Sequence, residues 1–265
     1  MELKTPKIEV VGGSFSYTKK NLIWENVNLQ VNDGECVCLL GANGCGKTTL
    51  LHTMCGAHPI TGGKVLVNGR DIQEYPITEL AQTVGIVYQD HTVSFPYTSL
   101  EVVRMGRAPY LNMFQTPSRE DTLLAYEIMK ELGIAEIADK SYSKISGGQR
   151  QLVLIARTLC QQPDVILFDE PTSHLDFRNQ AIVMKTLQKL SDRGMTIVMT
   201  SHFPSHAWQV GTKVVLMGRK GIIAQGTPEE IMTEENLSDI YDVRVRIVNK
   251  QTEGSKAFFC EPCFD

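Results

Sequence analysis

Gly41-Ala42-Asn43-Gly44-Cys45-Gly46-Lys47-Thr48-Thr49 follows a short apolar run, Cys36-Val37-Cys38-Leu39-Leu40, and leads into a helical-looking segment from Thr48 to about Cys55. Gly-x-x-x-x-Gly-Lys-Thr between a strand and a helix is the pattern of a phosphate cradle. The chemistry asks for these residue types. A polyphosphate needs several backbone N–H groups converging on its oxygens, and glycines let the chain come close without a Cβ in the way. The helix that starts after Gly46 adds its positive end. Lys47 supplies a mobile cation for the outer phosphates, and the Thr48 hydroxyl is placed to ligate Mg²⁺. The stretch implies a bound nucleoside triphosphate.

Working outward, 265 residues suit one large domain or two small ones, and 42% hydrophobic with 21% charged residues is the balance of a globular protein. A net charge of −4 gives no sign of a basic nucleic-acid face. No apolar run approaches the roughly 20 residues of a membrane span, and the N-terminus lacks the apolar core of a signal peptide. Seven cysteines, an odd number scattered through expected core elements, do not form a disulfide framework, which places the chain in a reducing cytosol.

Residues 7–17 and Val27–Val31 read as strands of a hairpin or meander, with Tyr17 at the end of the first, either a packing residue or a base-stacking one. Gly62–Gly69 reads as a strand between turns, and Val84–Tyr88 as a buried strand that delivers Gln89 at its end. From about Asp90 to Cys160 the pattern turns helical. Thr98-x-x-Glu101 and Ser118-x-x-Asp121 have capping-box spacing, and an apolar face runs through Leu123, Leu124, Ile128, Met129 and Leu132. Strand and helix alternation then resumes: Val165–Phe168, a helix from Asn179 to about Leu190, Met195–Thr200, and a hairpin across Gly218–Gly221. Thr227-Pro228-Glu229-Glu230 opens a helix. The last fifteen or so residues are weakly patterned and read as a frayed tail.

Val165-Ile166-Leu167-Phe168-Asp169-Glu170 is an apolar strand ending in two carboxylates. In phosphate-loop enzymes a neighbouring strand brings an Asp near the loop's Mg²⁺, a role that fits Asp169. Glu170 then fits a general base acting on the attacking water. Ile145-Ser146-Gly147-Gly148-Gln149, followed by a helix, is a second anion-binding nest by the same reasoning, one more than a single nucleotide requires.

These elements together resemble the ATP-binding subunit of an ATP-binding-cassette (ABC) transporter, from about Ile8 to Tyr241. The phosphate loop, Gln89, Ile145–Gln149, Val165–Glu170 and His202 stand in that family's order and spacing. The resemblance implies an α/β fold: a P-loop NTPase core with an antiparallel β subdomain (about 1–90 and 160–245), an inserted α-helical subdomain (about 91–159), and a tail over 246–265. It implies two copies paired head to tail, each signature closing on the partner's ATP, which explains the second nest. Position by position, Tyr17 would stack on adenine, and Gly41, Asn43, Gly44, Cys45, Gly46, Lys47, Thr48 and Thr49 would hold the phosphates. Gln89 would touch Mg²⁺ and the attacking water. Ser146, Gly147, Gly148 and Gln149 would act in trans, and Asp176 would join the two sites. Asp169 would support Mg²⁺, with Glu170 as base and His202 on the γ-phosphate. Ile145 stands where leucine is usual, a change that conserves volume.

The resemblance further implies a peripheral protein on the cytoplasmic face of the inner membrane. Its partners would be transmembrane permease subunits and, indirectly, an extracytoplasmic substrate-binding protein, with no nucleic acid. The run Ser94–Arg107, the run Glu170–Asp176 and the short C-terminus are similar to importers of iron–siderophores, haem and cobalamin, with molybdate or tungstate importers as neighbours. A soluble ABC ATPase of an assembly machinery, such as that for iron–sulfur clusters, is the alternative; a metabolic kinase would not need Ile145–Gln149. His202 and His206 stand four apart with Pro204 between them, and Cys260-x-x-Cys263 lacks a second pair, so neither reads as a metal site. Cys45, at a helix N-terminus, is expected to have a lowered thiol pKa and to be alkylated unless ATP protects it.

Overall fold

The computed structural model describes residues 5–18, 21–89, 96–112, 114–252 and 255–263. The first part of the chain forms β1 (Ile8–Thr18), β2 (Asn21–Val31), β3 (Cys36–Leu40), α1 (Lys47–Met54), β4 (Gly62–Val67) and β5 (Arg70–Asp71). Then come α2 (Ile77–Thr83), β6 (Val84–Val87), α3 (Ser99–Arg104), α4 (Arg119–Glu131), α5 (Gly147–Cys160), β7 (Val165–Phe168) and α6 (Phe177–Asp192). The last part holds β8 (Thr196–Ser201), α7 (Pro204–Val210), β9 (Lys213–Gly218), β10 (Gly221–Gly226), α8 (Pro228–Ile231), α9 (Glu234–Tyr241), β11 (Val245–Thr252) and β12 (Ser255–Pro262). Two compact units result, one from residues 1–74 with 191–265 and one from residues 75–190.

In the first unit β3 pairs in parallel with β8 on one side and β9 on the other, and β10 runs antiparallel to β9. Every residue of β3 and β8 is buried, as strands covered on both faces must be; β3 therefore reads as an unbroken apolar run, while β8 carries Ile197–Met199 between buried Thr196 and Thr200. The register sets Leu40 beside Ser201, so the loops after β3 and β8 leave the sheet at the same end. A second sheet, antiparallel and ordered β2-β1-β4-β5, buries Ile8, Val10 and Phe15 from β1 with Trp24, Val27 and Leu29 from β2. Gly63, at φ +76, lets β4 approach β1: a Cβ there would sit 2.4 Å from the carbonyl oxygens of Val11 and Gly12.

The C-terminal residues form an element where the sequence suggested none. β11 and β12 pair in unbroken antiparallel register from Val245↔Pro262 to Thr252↔Ser255. Phe258 is buried and stacks on Trp208 of α7, with ring centroids 4.8 Å apart. A two-stranded ribbon has only one face to bury, so its apolar signal is sparse, and here it rests largely on Val245 and Phe258.

In the second unit β6 and β7 pair in parallel from Val84↔Val165 to Val87↔Phe168. The helices α3, α4 and α5 pack around Val102, Val103, Ala125, Met129 and Val153. Both expected capping boxes form, Thr98 with Glu101 and Ser118 with Asp121. In the first unit the box of Thr227 with Glu230 forms as well. Arg107 Nε donates to Asp121 Oδ1 at 2.8 Å. The Ser118 backbone N–H first, and Arg107 after it, hold the Asp121 carboxyl below its usual range. Helix α2 was not legible: it buries no residue and leaves Ile77 exposed, so no apolar periodicity marks it. Asp90, Ser94 and Phe95, where the composition shift and the importer-like run begin, lie outside the described residues.

Candidate nucleotide site

The expected site residues fall in both units. Tyr17, the phosphate loop and His202 belong to the first; Gln89, Ser146–Gln149, Asp169, Glu170 and Asp176 belong to the second.

The phosphate loop leaves β3 at Gly41 and enters α1 through Gly46, whose φ of +102 only glycine adopts without strain. A Cβ on Gly46 would lie 2.8 Å from Ile23 Cγ2 and 2.9 Å from Trp24 Cδ1, so the loop's last turn lies flat against β2. Gly44, at φ +79, meets no atom within 4 Å of its would-be Cβ, which leaves the mouth of the loop open. Lys47 is 4% exposed, and its ammonium donates to the carbonyls of Gly41 and Ala42 at 2.9 and 3.0 Å. A buried ammonium spanning the loop, N–H groups at a helix start and an open mouth fit a triphosphate. Within the first unit, the hydroxyl of Thr48 is a hard oxygen donor of the kind that suits Mg²⁺. Among the described residues no group of three or more His, Cys, Asp or Glu could hold a metal ion.

Tyr17 stands beside α1: its hydroxyl and Thr49 Oγ1 share a hydrogen bond at 3.1 Å. Phe15 and His58 meet the ring edge-on, with centroids at 4.9 and 5.7 Å, and hold it upright while it stays 59% exposed. The ring is thus both packed and available for stacking.

Cys45 corrects the sequence-based expectation. The thiol is 5% exposed, tucked under the loop so that a Cβ on Gly41 would come within 2.8 Å of its Sγ. Burial pushes its pKa up, and the Lys47 charge offsets this only in part. Mass-mapped alkylation of the native chain at neutral pH is therefore expected to label the more exposed Cys263 well ahead of Cys45. Cys45 reacting first would contradict this.

His202 follows β8. Ser201 Oγ accepts from the Phe203 N–H at 3.0 Å, which pins the turn into α7. Phe203 packs on His202 and His206, with centroids at 3.9 and 4.9 Å. Burial, and after it the neighbouring His202, lower the His206 pKa from 6.5 to about 4. The folded chain thus keeps His206 neutral where the unfolded chain protonates it. Stability should be full above about pH 6.5 and fall as pH drops toward 4, by up to about 3 kcal/mol. Unfolding midpoints measured across that window should flatten in His206→Asn, and equal slopes in both chains would refute the assignment.

In the second unit the β6–β7 pairing brings Gln89 and the two carboxylates to one sheet end, where the Asp169 N–H donates to Val87 O at 2.9 Å. Asp169 is buried, whereas Gln89 is exposed. Glu170 takes φ +44, a left-handed value uncommon for a residue with a Cβ, and this turns its side chain off the line of β7. Its carbonyl accepts from the N–H and the hydroxyl of Ser173 at 3.1 and 2.9 Å.

Ser146 is the N-cap of α5. Its Oγ accepts from the Gln149 N–H at 3.2 Å, and Gln149 Oε1 accepts from the Ser146 N–H at 3.1 Å. The Ser-x-x-Gln spacing at this helix start is itself a capping-box signal. Asp176 is bonded to Asn179, whose N–H and Nδ2 donate to its two carboxylate oxygens at 2.8 and 2.9 Å. Asn179, read from the sequence only as the start of a helix, also packs against Gly148. Asp176 therefore starts α6 two residues earlier than the apolar pattern suggested.

A buried parallel strand feeding a glycine loop, a buried lysine and a helix defines a P-loop nucleotide-binding protein. The family model "ABC transporter" matches residues 24–173. The chain is 33% identical over 257 residues to the molybdate import ATP-binding protein MolC of Haemophilus influenzae, covering 97% of this chain and 94% of that one. It is 33% identical to the ferric enterobactin transport ATP-binding protein FepC of Escherichia coli, over 89% of this chain and 88% of that one. A solved inward-facing structure of an ABC transporter of metal-chelate type matches at 32% identity with a TM-score of 0.87, covering 98% of both chains. The chain belongs to the ABC transporter family and is its ATP-binding, ATP-hydrolysing component.

Proposed function

We propose that this chain energises the import of a metal chelate of the iron–siderophore, haem or cobalamin type. The observation that carries this reading is the likeness across 98% of both chains to a metal-chelate type transporter, with the ferric enterobactin relative in support. Two copies pair head to tail at the cytoplasmic face of the membrane, bound to transmembrane permease subunits that receive cargo from an extracytoplasmic binding protein. Among the described residues no helix is long and apolar enough to cross a membrane, which agrees with a peripheral seat. The molybdate relative favours a second cargo, an oxyanion of molybdate or tungstate type.

In this reading Tyr17 stacks on adenine, and Gly41, Asn43, Gly44, Cys45, Gly46, Lys47, Thr48 and Thr49 hold the phosphates. Thr48, Gln89 and Asp169 hold Mg²⁺, which supplies charge neutralisation on the phosphate oxygens. Glu170 accepts the proton of the attacking water while Gln89 and His202 orient that water and the γ-phosphate. Ser146, Gly147, Gly148 and Gln149 complete the site of the partner copy, and Asp176 links the two sites. Ser146 and Gly147 are exposed, as a surface that closes on a partner must be.

Uptake assays in cells lacking this chain test the cargo. Loss of labelled ferric-siderophore, haem or cobalamin uptake with molybdate uptake intact is the expected result. Loss of molybdate uptake alone would move the assignment to the oxyanion.

A further inference from the structure

His202 directly follows β8, and Ser201 at the end of that strand pins the N–H of Phe203 on its far side. The C-terminal segment adds a second hold. At the last position of α9, Tyr241 donates its hydroxyl to the carbonyl oxygen of His202 at 3.0 Å, 39 residues away in sequence. Six residues beyond His202, Trp208 of α7 stacks on Phe258 of β12. The turn bearing His202 is thus gripped at its start by Tyr241 and at its far side by the terminal hairpin.

The grip is itself anchored. Leu237 and Ile240 bury one face of α9. Ser238 Oγ accepts from the Val245 N–H at 2.9 Å, and Glu234 Oε1 from the Ile247 N–H at 2.8 Å, tying α9 to β11. Asp242 ends α9 in the left-handed conformation, so the chain reverses immediately after Tyr241. Burial raises the Tyr241 pKa, with smaller contributions from Cys260 of the hairpin and Cys45 of the phosphate loop. The phenol therefore stays protonated, and a donor, throughout the physiological range.

We infer that Tyr241 is a positioning residue for ATP hydrolysis, its hydroxyl fixing the His202 peptide so that the imidazole is held toward the γ-phosphate. The terminal hairpin then supports the same turn from its far side through Trp208. The inference rests on the role given to His202 above. Tyr241 touches no reacting atom, so its loss should act on kcat and leave the KM for ATP alone.

The test is a double-mutant cycle on the full chain, assayed with its co-purified membrane partners. Tyr241→Phe removes one hydroxyl and keeps the ring. It is expected to lower kcat about fivefold, the worth of one hydrogen bond, with KM unchanged and the unfolding midpoint lower by only about 2–4 °C, too little to depopulate the folded chain at assay temperature. In a His202→Ala background the same change should have no further effect on kcat. Phe258→Leu, which weakens the Trp208 stack, should lower kcat in the same direction and supplies a second reading if Tyr241→Phe folds poorly. If His202→Ala lowers kcat but Tyr241→Phe leaves it unchanged, or the two effects multiply, the positioning role is overturned. If His202→Ala itself leaves turnover intact, the role assigned to His202 fails first.

Discussion

Glu170→Gln is expected to retain ATP and lose turnover by about 10²–10⁴-fold, the worth of a well-placed general base. The substitution is close to isosteric. It leaves the buried Asp169 and the Ser173 contacts to the Glu170 carbonyl untouched, so the turn after β7 should persist. What it removes is the basicity of a side chain that the φ of +44 turns away from the strand. A non-glycine residue held in that region costs on the order of 1–3 kcal/mol, and such strain gathers where a side chain must be aimed. Steady-state phosphate release together with retention of labelled ATP after rapid gel filtration separates the two effects. Hydrolysis near the wild-type rate would remove Glu170 from its role.

Gly148→Ala should be nearly as damaging, by about 10²-fold in turnover, because under the proposed function it disturbs donors that complete the partner copy's phosphate site. An added Cβ would lie 2.1 Å from Asn179 Oδ1 and 2.8 Å from Asn179 Cβ. Turning the amide relieves the first contact but not the second, so the start of α6 must shift. Asn179 holds both carboxylate oxygens of Asp176, and the shift carries Asp176 with it. Alanine favours a helix over glycine by about 1 kcal/mol, which offsets part of the clash and keeps the chain folded. The phosphate loop belongs to the other unit, so affinity of a single chain for ATP should be unchanged. Equilibrium nucleotide binding and steady-state ATPase, measured side by side, check this. A variant that hydrolyses normally would show that Gly148 lies outside the machinery, and one that no longer binds ATP would show the damage is not confined to the signature.

Much of this was legible in the sequence because several elements carry their signal locally. β3 and β7 are buried on both faces and read as plain apolar runs ending in functional residues. Thr98, Ser118 and Thr227 announce their helices by a side chain three residues ahead of its partner. Other features depend on contacts that no local pattern encodes. Cys45 sits at a helix start, where a thiol pKa is usually lowered, but its burial beneath Gly41 outweighs the helix and the Lys47 charge. The terminal hairpin owes its place to Phe258 on Trp208, fifty residues apart. Tyr241 reads as one more aromatic on a short helix until the His202 carbonyl is found beneath its hydroxyl. Asn179 looks like an ordinary helix-start residue, and its tie to Asp176 emerges only with the cap geometry.

The most direct measurement is gentle detergent extraction of the tagged Glu170→Gln chain from native membranes, with identification and quantification of what co-purifies. A polytopic membrane protein at near-equal stoichiometry is the expected result. Recovery of the chain only from the soluble fraction, with soluble partners alone, would contradict the transport function and point to an assembly ATPase.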